Sequence, residues 1–278
     1  MASFRYVVAD VFTDEPLAGN AVAVFTDARE LPEEQLQRLA REVNLSESVF
    51  VYPPGADGHV RIRIFTPSLE LPFAGHPVLG TAFVLAGPLQ LTEIRLETDA
   101  GTVPIRLERE GPRIVFGWME QPPTTWEPVD PELAGDVAAA VGFRESELPM
   151  ELYRQGPGHV LVALSSPEEV AALRPDFGRL KELVSFGVGC FARDGDAWKY
   201  RSFVPAHGID EDPATGSAAG PLAIHLARHG WTEFGEEVEI HQGAEVGRPS
   251  TLYAVAHSEQ QVDVGGTAVV VARGEFRL

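Results

Sequence analysis

Glu47 lies in Asn44-Leu45-Ser46-Glu47-Ser48, between a helix-like run and a strand-like run. If a carboxyl is held at such a junction and buried, its pKa rises from about 4.3 towards neutrality, which suits proton transfer. The plainer alternative is a solvated Glu in a surface turn. His76 lies between Gly75 and Pro77, where a helix is predicted to begin. An imidazole there can shuttle protons, or it can serve only as a structural cap. Asp212 precedes Pro213 in Asp212-Pro213-Ala214-Thr215-Gly216-Ser217. It suits binding of an amino or hydroxyl group, or assistance in proton transfer, and a turn-forming Asp is the structural alternative. Thr215, Gly216 and Ser217 offer a cap, backbone donors and a hydroxyl, roles compatible with anion binding.

These residues sit on a pattern that occurs twice. Phe65-Thr66-Pro67 leads to Pro72-Phe73-Ala74-Gly75-His76-Pro77 and then an apolar run. Phe203-Val204-Pro205 leads to the Asp212-to-Ser217 loop and another apolar run. Each copy reads as strand, loop and helix start, with helices expected over about 77–86 and 218–228. A helix N-terminus presents unpaired N–H groups and the positive end of the dipole. Two such ends facing each other would close around a small anionic substrate.

Other constellations carry less. Asp210-Glu211-Asp212 lacks an EF-hand pattern, and adjacent residues rarely converge on one ion, so Asp210 and Glu211 read as solvated charge. His225 and His229 have the i, i+4 spacing of zinc ligands, but no Glu follows His225. The metalloprotease pattern therefore fails, and both read as ordinary helix surface. Cys190, the single cysteine, lies in a strand-like run and reads as buried and inert. Gly187-Val188-Gly189 leads into strand and turn, which excludes a dinucleotide fingerprint. There is no phosphate-binding Walker loop and no Gly-x-Ser-x-Gly elbow.

The elements needed to position these groups can be read in outline. Strands are expected over 5–11, 20–25, 49–52, 59–65, 114–119, 159–164, 184–192 and 198–204, with more near 238–241, 250–257 and 268–272. A hairpin is expected around Asp99-Ala100-Gly101. Helices are expected over 31–43 and 131–141, with another from Pro167. Gln121 to Pro128 reads as a crossing linker. The 278 residues favour two domains, and 44% hydrophobic with 23% charged residues is ordinary for a globular protein. Lys and Arg number 22 against 41 Asp and Glu, a net charge of −19. That balance repels nucleic acid and anionic membranes, so neither partner is expected. One cysteine permits no intramolecular disulfide. The expectation is a cytoplasmic protein without signal peptide or membrane span.

Four stretches carry a family resemblance: Pro16 to Phe25, Asn44 to Ser48, Glu70 to Pro77, and Glu211 to Leu226. Through them the chain resembles the phenazine-biosynthesis isomerase family, PhzF, which shares the diaminopimelate epimerase fold. The likeness covers essentially the whole chain. It implies an α/β (α+β) protein of two similar lobes, each a curled, mostly antiparallel sheet around a central helix, with the site between them. The expected division is 1–118 for the first lobe, with 265–278 returning to it, and 119–264 for the second. The implied activity is a C3-to-C1 hydrogen shift on trans-2,3-dihydro-3-hydroxyanthranilate, with no cofactor and no metal, in a homodimer. The resemblance makes Glu47 the proton-shuttling carboxylate. It makes His76 and Asp212 the groups that bind substrate and tune proton transfer, and Ser217 with the amides near Gly75 and Gly216 the substrate anchors. The epimerase branch of the fold uses two opposed cysteines; here the corresponding loops carry His76 and Ser217. The alternatives are a same-fold isomerase or epimerase on another small amino or hydroxy acid, and a non-catalytic binding protein.

Overall fold

Two helices with scarcely any polar face set the architecture of the computed structural model, which describes residues 2–278. A helix apolar on all sides must be enclosed. In the first half, strands β1 (Ser3–Val11) and β2 (Asn20–Phe25) precede helix α1 (Glu33–Val43). Strands β3 (Glu47–Tyr52), β4 (Val60–Phe65) and β5 (Glu70–Leu71) lead into α2 (Gly75–Leu89), the first enclosed helix. Strands β6 (Glu93–Thr98), β7 (Gly101–Glu110) and β8 (Arg113–Glu120) follow. The second half runs β9 (Thr125–Pro128), α3 (Pro131–Val141), β10 (Glu151–Arg154), β11 (Gly158–Ala163), α4 (Pro167–Ala172), α5 (Phe177–Leu183), β12 (Gly187–Asp194), β13 (Ala197–Val204) and β14 (Ile209–Asp212). Then come α6 (Gly216–Arg228), the second enclosed helix, and β15 (Glu237–Gln242), β16 (Ser250–Ala256), β17 (Val262–Gly266) and β18 (Ala268–Arg277).

The sheet is mostly antiparallel, and the halves repeat one topology. β2 pairs parallel with β3, β3 antiparallel with β4, and β4 parallel with β6, with α2 in the crossover. In the same way β11 pairs parallel with β12, β12 antiparallel with β13, and β13 parallel with β15, with α6 in the crossover. The strands at the ends are exchanged. β9, which follows β8, pairs with β10 of the second half, while β18, which follows β17, returns to pair with β1. β17 also joins β8. A lobe boundary at 118/119 would pass within β8.

The main core gathers Val78, Leu79 and Ala82 of α2 with Leu222, Ala223 and Leu226 of α6 and the inward faces of the strands. α1 covers the outer face of the first half through Leu36, Leu39 and Ala40. It begins after Pro32, has Glu33 and Glu34 in its first turn, and ends at left-handed Asn44. α3, α4 and α5 cover the second half through Val137, Val170 and Leu180. α3 and α4 start with Pro at their first position behind Asp130 and Ser166 caps.

Several sequence expectations change. α2 begins two residues before Pro77, and α6 two before Ala218, so Gly75, His76, Gly216 and Ser217 belong to first helical turns. Glu47 opens a strand and does not sit in the preceding turn. The linker contains β9, and β10, β14 and β17 add strands too short for a pattern to reveal. Glu211 is not solvated, because both its oxygens accept from Arg201, at 2.8 and 2.7 Å. Cys190 is fully buried, and burial pushes its thiol up.

His225 and His229 are not ordinary helix surface. His225 is fully buried, and both rings face Glu151 of β10. Glu151 Oε2 lies 3.2 Å from each ring and accepts from Tyr153 at 2.8 Å and Arg228 at 2.5 Å. Burial pushes this carboxyl up, but its four donors outweigh burial and hold it below the usual range. Arg228 also stacks on Trp126 of β9, 3.3 Å from the ring centroid. The network therefore ties the far end of α6 to β9 and β10. Glu151→Ala would leave the partly buried Arg228 and the fully buried His225 ring without their shared acceptor and cost about 1–3 kcal/mol. Urea denaturation measures this, and a loss below about 1 kcal/mol would contradict the anchoring role.

Candidate active site

The first turns of α2 and α6 meet backbone to backbone. A Cβ on Gly75 would fall 2.5 Å from the carbonyl carbon of Gly216 and 2.7 Å from the Ser217 nitrogen. Only a residue without a side chain permits that approach. Around this junction lie Glu47, Gly75, His76, Asp212, Gly216 and Ser217, which line one small cavity. All six sequence candidates are thus brought together from β3, α2, β14 and α6. Leu71, Pro157, Val204 and Ile209 supply an apolar wall.

Left-handed Asn44 turns the chain out of α1, and β3 then holds Glu47 opposite Val22 of β2. Glu47 is 8% exposed, His76 3% and Asp212 7%. His76 Nε2 stands 3.1 Å from Glu47 Oε2, but the two atoms do not complete an aligned hydrogen bond. His76 Nδ1 lies 3.1 Å from the Asn20 amide nitrogen. That nitrogen donates to Asp212 Oδ1 at 2.8 Å and to the Ala214 carbonyl at 3.0 Å. Asn20 therefore spans the junction between the halves.

The loop after β14 is held from behind. Thr215 occupies the N-cap position of α6, but its hydroxyl donates to Asp212 Oδ2 at 2.6 Å and accepts from no helix N–H. Gln242 accepts from the Thr215 N–H at 2.9 Å and donates to the Asp212 carbonyl at 2.7 Å. Gln121 donates to the Gly216 carbonyl at 2.8 Å. Asn20, Gln121, His159 and Gln242 were not singled out from sequence. Asn20 alone lies within one of the stretches that carry the family resemblance, Pro16 to Phe25; the other three reach the site through long-range pairings with no local signal.

Burial governs the electrostatics. It raises the Glu47 carboxyl well above its usual range, and the nearby Asp212 adds to the effect. Burial also raises Asp212, although hydrogen bonds from Thr215, Asn20 and Ser46 pull the other way. His76 is pushed down to about 3 by burial, so its imidazole is neutral. A basic carboxylate, a second carboxyl and a neutral imidazole around one cavity can take up and return a proton. The helix N-termini beside them offer donors and positive potential to an anion. The cysteine pair of the epimerase branch has no counterpart in these turns, and Cys190 packs in the separate core of the second half. Away from the site, Glu151, His225 and His229 offer three metal-ligating atoms within 4.8 Å of one another. Arg228 and Tyr153 already bind the Glu151 carboxylate there, so this donor set fits an ion pair better than a cation.

Residues 9–274 match the family described as phenazine biosynthesis-like protein. The trans-2,3-dihydro-3-hydroxyanthranilate isomerase of Pseudomonas aeruginosa is 50% identical over 278 residues, covering 99% of each chain. The crystal structure of a Bacillus anthracis phenazine biosynthesis protein of the PhzF family superposes with a TM-score of 0.84 at 26% identity, covering all of both chains. A hydroxyproline epimerase from Agrobacterium vitis is 12% identical with a TM-score of 0.71, covering 98% of this chain and 92% of that one. This last likeness extends to the fold alone.

Gly75→Ala would put a methyl group into the backbone of the facing turn and force the helix ends apart. Catalysis and binding of an anionic ligand should fall by at least about 100-fold, because a 1 Å displacement of reacting groups has that effect. The circular dichroism spectrum should stay unchanged. Wild-type activity in Gly75→Ala would show that the close contact is dispensable.

Proposed function

The chain belongs to the family of phenazine biosynthesis-like proteins, and on that premise we propose that it is an isomerase acting on trans-2,3-dihydro-3-hydroxyanthranilate. The observation that carries this reading is the buried meeting of Glu47, His76 and Asp212 at two abutting helix N-termini. Full-length similarity to a relative that carries this activity in its name supports the choice of substrate.

In the proposed reaction the Glu47 carboxylate removes the C3 hydrogen as a proton. The electron pair moves through the conjugated system towards C1, and the same carboxyl delivers a proton there. The product is an enol that tautomerises to a reactive aminoketone, with no net gain or loss of electrons or protons. One carboxyl can act first as base and then as acid if it reaches both carbons with water excluded. Asp212 and neutral His76 hold the amino and hydroxyl groups and tune Glu47. Ser217, with the amides near Gly75 and Gly216, holds the substrate carboxylate, and the helix dipoles stabilise charge developing in the ring. The chemistry proposed requires no cofactor or metal. We further propose that the protein works in the cytoplasm as a homodimer. Family membership supports the dimer, and no described helix is long and apolar enough to cross a membrane.

The cavity measures about 30 Å³. That is far below the ~300 Å³ of small ligand pockets. Admission of a substituted ring therefore requires the lobes to part and then close. Scattering from the ligand-free protein should therefore give a radius of gyration larger than that of this structure, and adding 3-hydroxyanthranilate, the aromatic analogue, should contract it. An unchanged radius of gyration together with measurable binding would count against closure.

Proton NMR in D2O, with no metal added, tests the reaction directly. Loss of the substrate diene with deuterium appearing at C1 is expected. Glu47→Gln should lower turnover by about 10²–10⁴-fold while preserving the fold. An unchanged spectrum from folded wild-type protein would exclude this substrate. A base with a raised pKa is protonated, and so inactive, at a higher pH than an ordinary carboxylate. The acid limb of kcat/KM should therefore lie above the usual Glu value of about 4.3. Asp212→Asn removes the neighbouring charge, so the Glu47 carboxyl should titrate at lower pH, as ¹³C NMR of its carboxyl carbon would report.

A further inference from the structure

His159 lines the cavity but takes no part in the chemistry above. It lies in β11 and is 2% exposed, with Nε2 3.0 Å from Ser217 Oγ. Its other ring nitrogen, Nδ1, is buried without a hydrogen-bond partner. The parallel register of β11 and β12 sets His159 beside Gly187. A Cβ at Gly187 would lie 2.7 Å from Nδ1 and 3.3 Å from Cε1, so the ring packs closely against the neighbouring strand, and Nδ1 is sealed from water. Burial pushes the imidazole pKa down to about 3, and the ring carries a single proton.

The location of that proton follows from the surroundings. On Nδ1 it would be a buried donor with no acceptor, which native structures almost never tolerate. On Nε2 it is donated to Ser217 Oγ, and Nδ1 keeps only an unused lone pair, a milder defect. Once Oγ accepts from Nε2–H, its own hydrogen cannot point at His159. It is left free to turn towards the cavity that Ser217 lines. A serine without such a partner would be free to rotate or to donate backwards.

We propose that His159 is a positioning residue that fixes the direction of the Ser217 hydroxyl, making it a donor to the carboxylate of the substrate. The assignment rests on the proposed reading in that an anionic acid must occupy the cavity. The orientation itself is a property of the free protein. It adds a third donor to the two helix N-termini and ties the anion seat to the interior of the second lobe through β11. Its effect falls on binding more than on proton transfer, because His159 is hydrogen-bonded to Ser217 and no hydrogen bond or ion pair joins it to Glu47 or Asp212.

Two measurements test it. In protein labelled with ¹⁵N-histidine, the His159 ring signals, assigned by their loss in His159→Gln, should show a protonated Nε2 and a bare Nδ1 at neutral pH. The opposite tautomer overturns the proposal. The second is a cycle of His159→Leu and Ser217→Ala, read by calorimetric binding of 3-hydroxyanthranilate and by KM and kcat where turnover occurs. His159→Leu should weaken binding and raise KM by about 10- to 100-fold, with little change in kcat. His159→Gln, whose amide reaches the same hydroxyl, should recover most of the loss. His159→Leu should add almost nothing once Ser217 is Ala. Equal losses with and without the serine hydroxyl would mean that His159 acts through packing alone, and would overturn the proposal. If the wild type binds the probe but leaves the dihydro substrate unchanged, the proposed reaction fails while the binding cycle still decides the role of His159.

Discussion

The site depends on the contact between Gly75 and Gly216. Two helices that begin without side chains can bring their first turns within van der Waals distance. The free N–H groups and dipoles of both helices then converge on one small volume. This explains why α2 and α6 are each enclosed by a sheet. A helix whose N-terminus must be placed to within a fraction of an ångström needs support on every side, and a close-packed apolar surround provides it. The Glu151 network secures the other end of α6, so that helix is fixed both where it meets the site and where it leaves it.

Enclosure also sets the chemistry. Water exclusion is the main cause that raises the two carboxyls and lowers the imidazoles, because a charge in a dry cavity loses its hydration. His76 and His159 are neutral in the fold but accept protons in the unfolded chain below about 6.5. Their contribution to stability is therefore lost as pH falls through that value. Glu47 and Asp212 act in the opposite sense. Their folded-state pKa values lie above the unfolded ones, so the stability they confer is present at low pH and is lost as pH rises through the raised values. Raising these carboxyls thus draws on the same free energy that holds the lobes together. The hydrogen bonds that Asn20 and Thr215 donate to the Asp212 carboxyl offset part of that cost.

The halves are joined by more than side chains. β9 and β18 occupy equivalent places in the two sheets, yet each follows the last strand of the other half. Neither half completes its sheet without chain that has crossed over. The exchange, with the β8–β17 pairing, leaves the lobes tied at the back while their helix ends meet at the front. That arrangement suits a hinge, because backbone pairing resists separation at one edge and only side-chain and glycine contacts must part at the other.

The elements that local physics governs are legible in the order of the amino acids. Hydrophobic periodicity and terminal residues specified α1, alternation specified β4, and short apolar runs marked β2 and β8. The doubled strand-loop-helix pattern already carried Glu47, His76, Asp212 and Ser217 in positions that suggested chemistry. It also carried the glycines whose lack of side chains proves decisive. The tertiary structure decided everything that rests on partners distant in the chain. It turned His225 and His229 from an apparent helix surface into a buried network, because their partner, Glu151, lies more than 70 residues away in a four-residue strand. It brought Gln121, His159 and Gln242 to the site, none of which has a local signature. It also set the ionisation of every group there, because a pKa shift depends on burial and on neighbours, and both are created only when two separately encoded helices meet end to end.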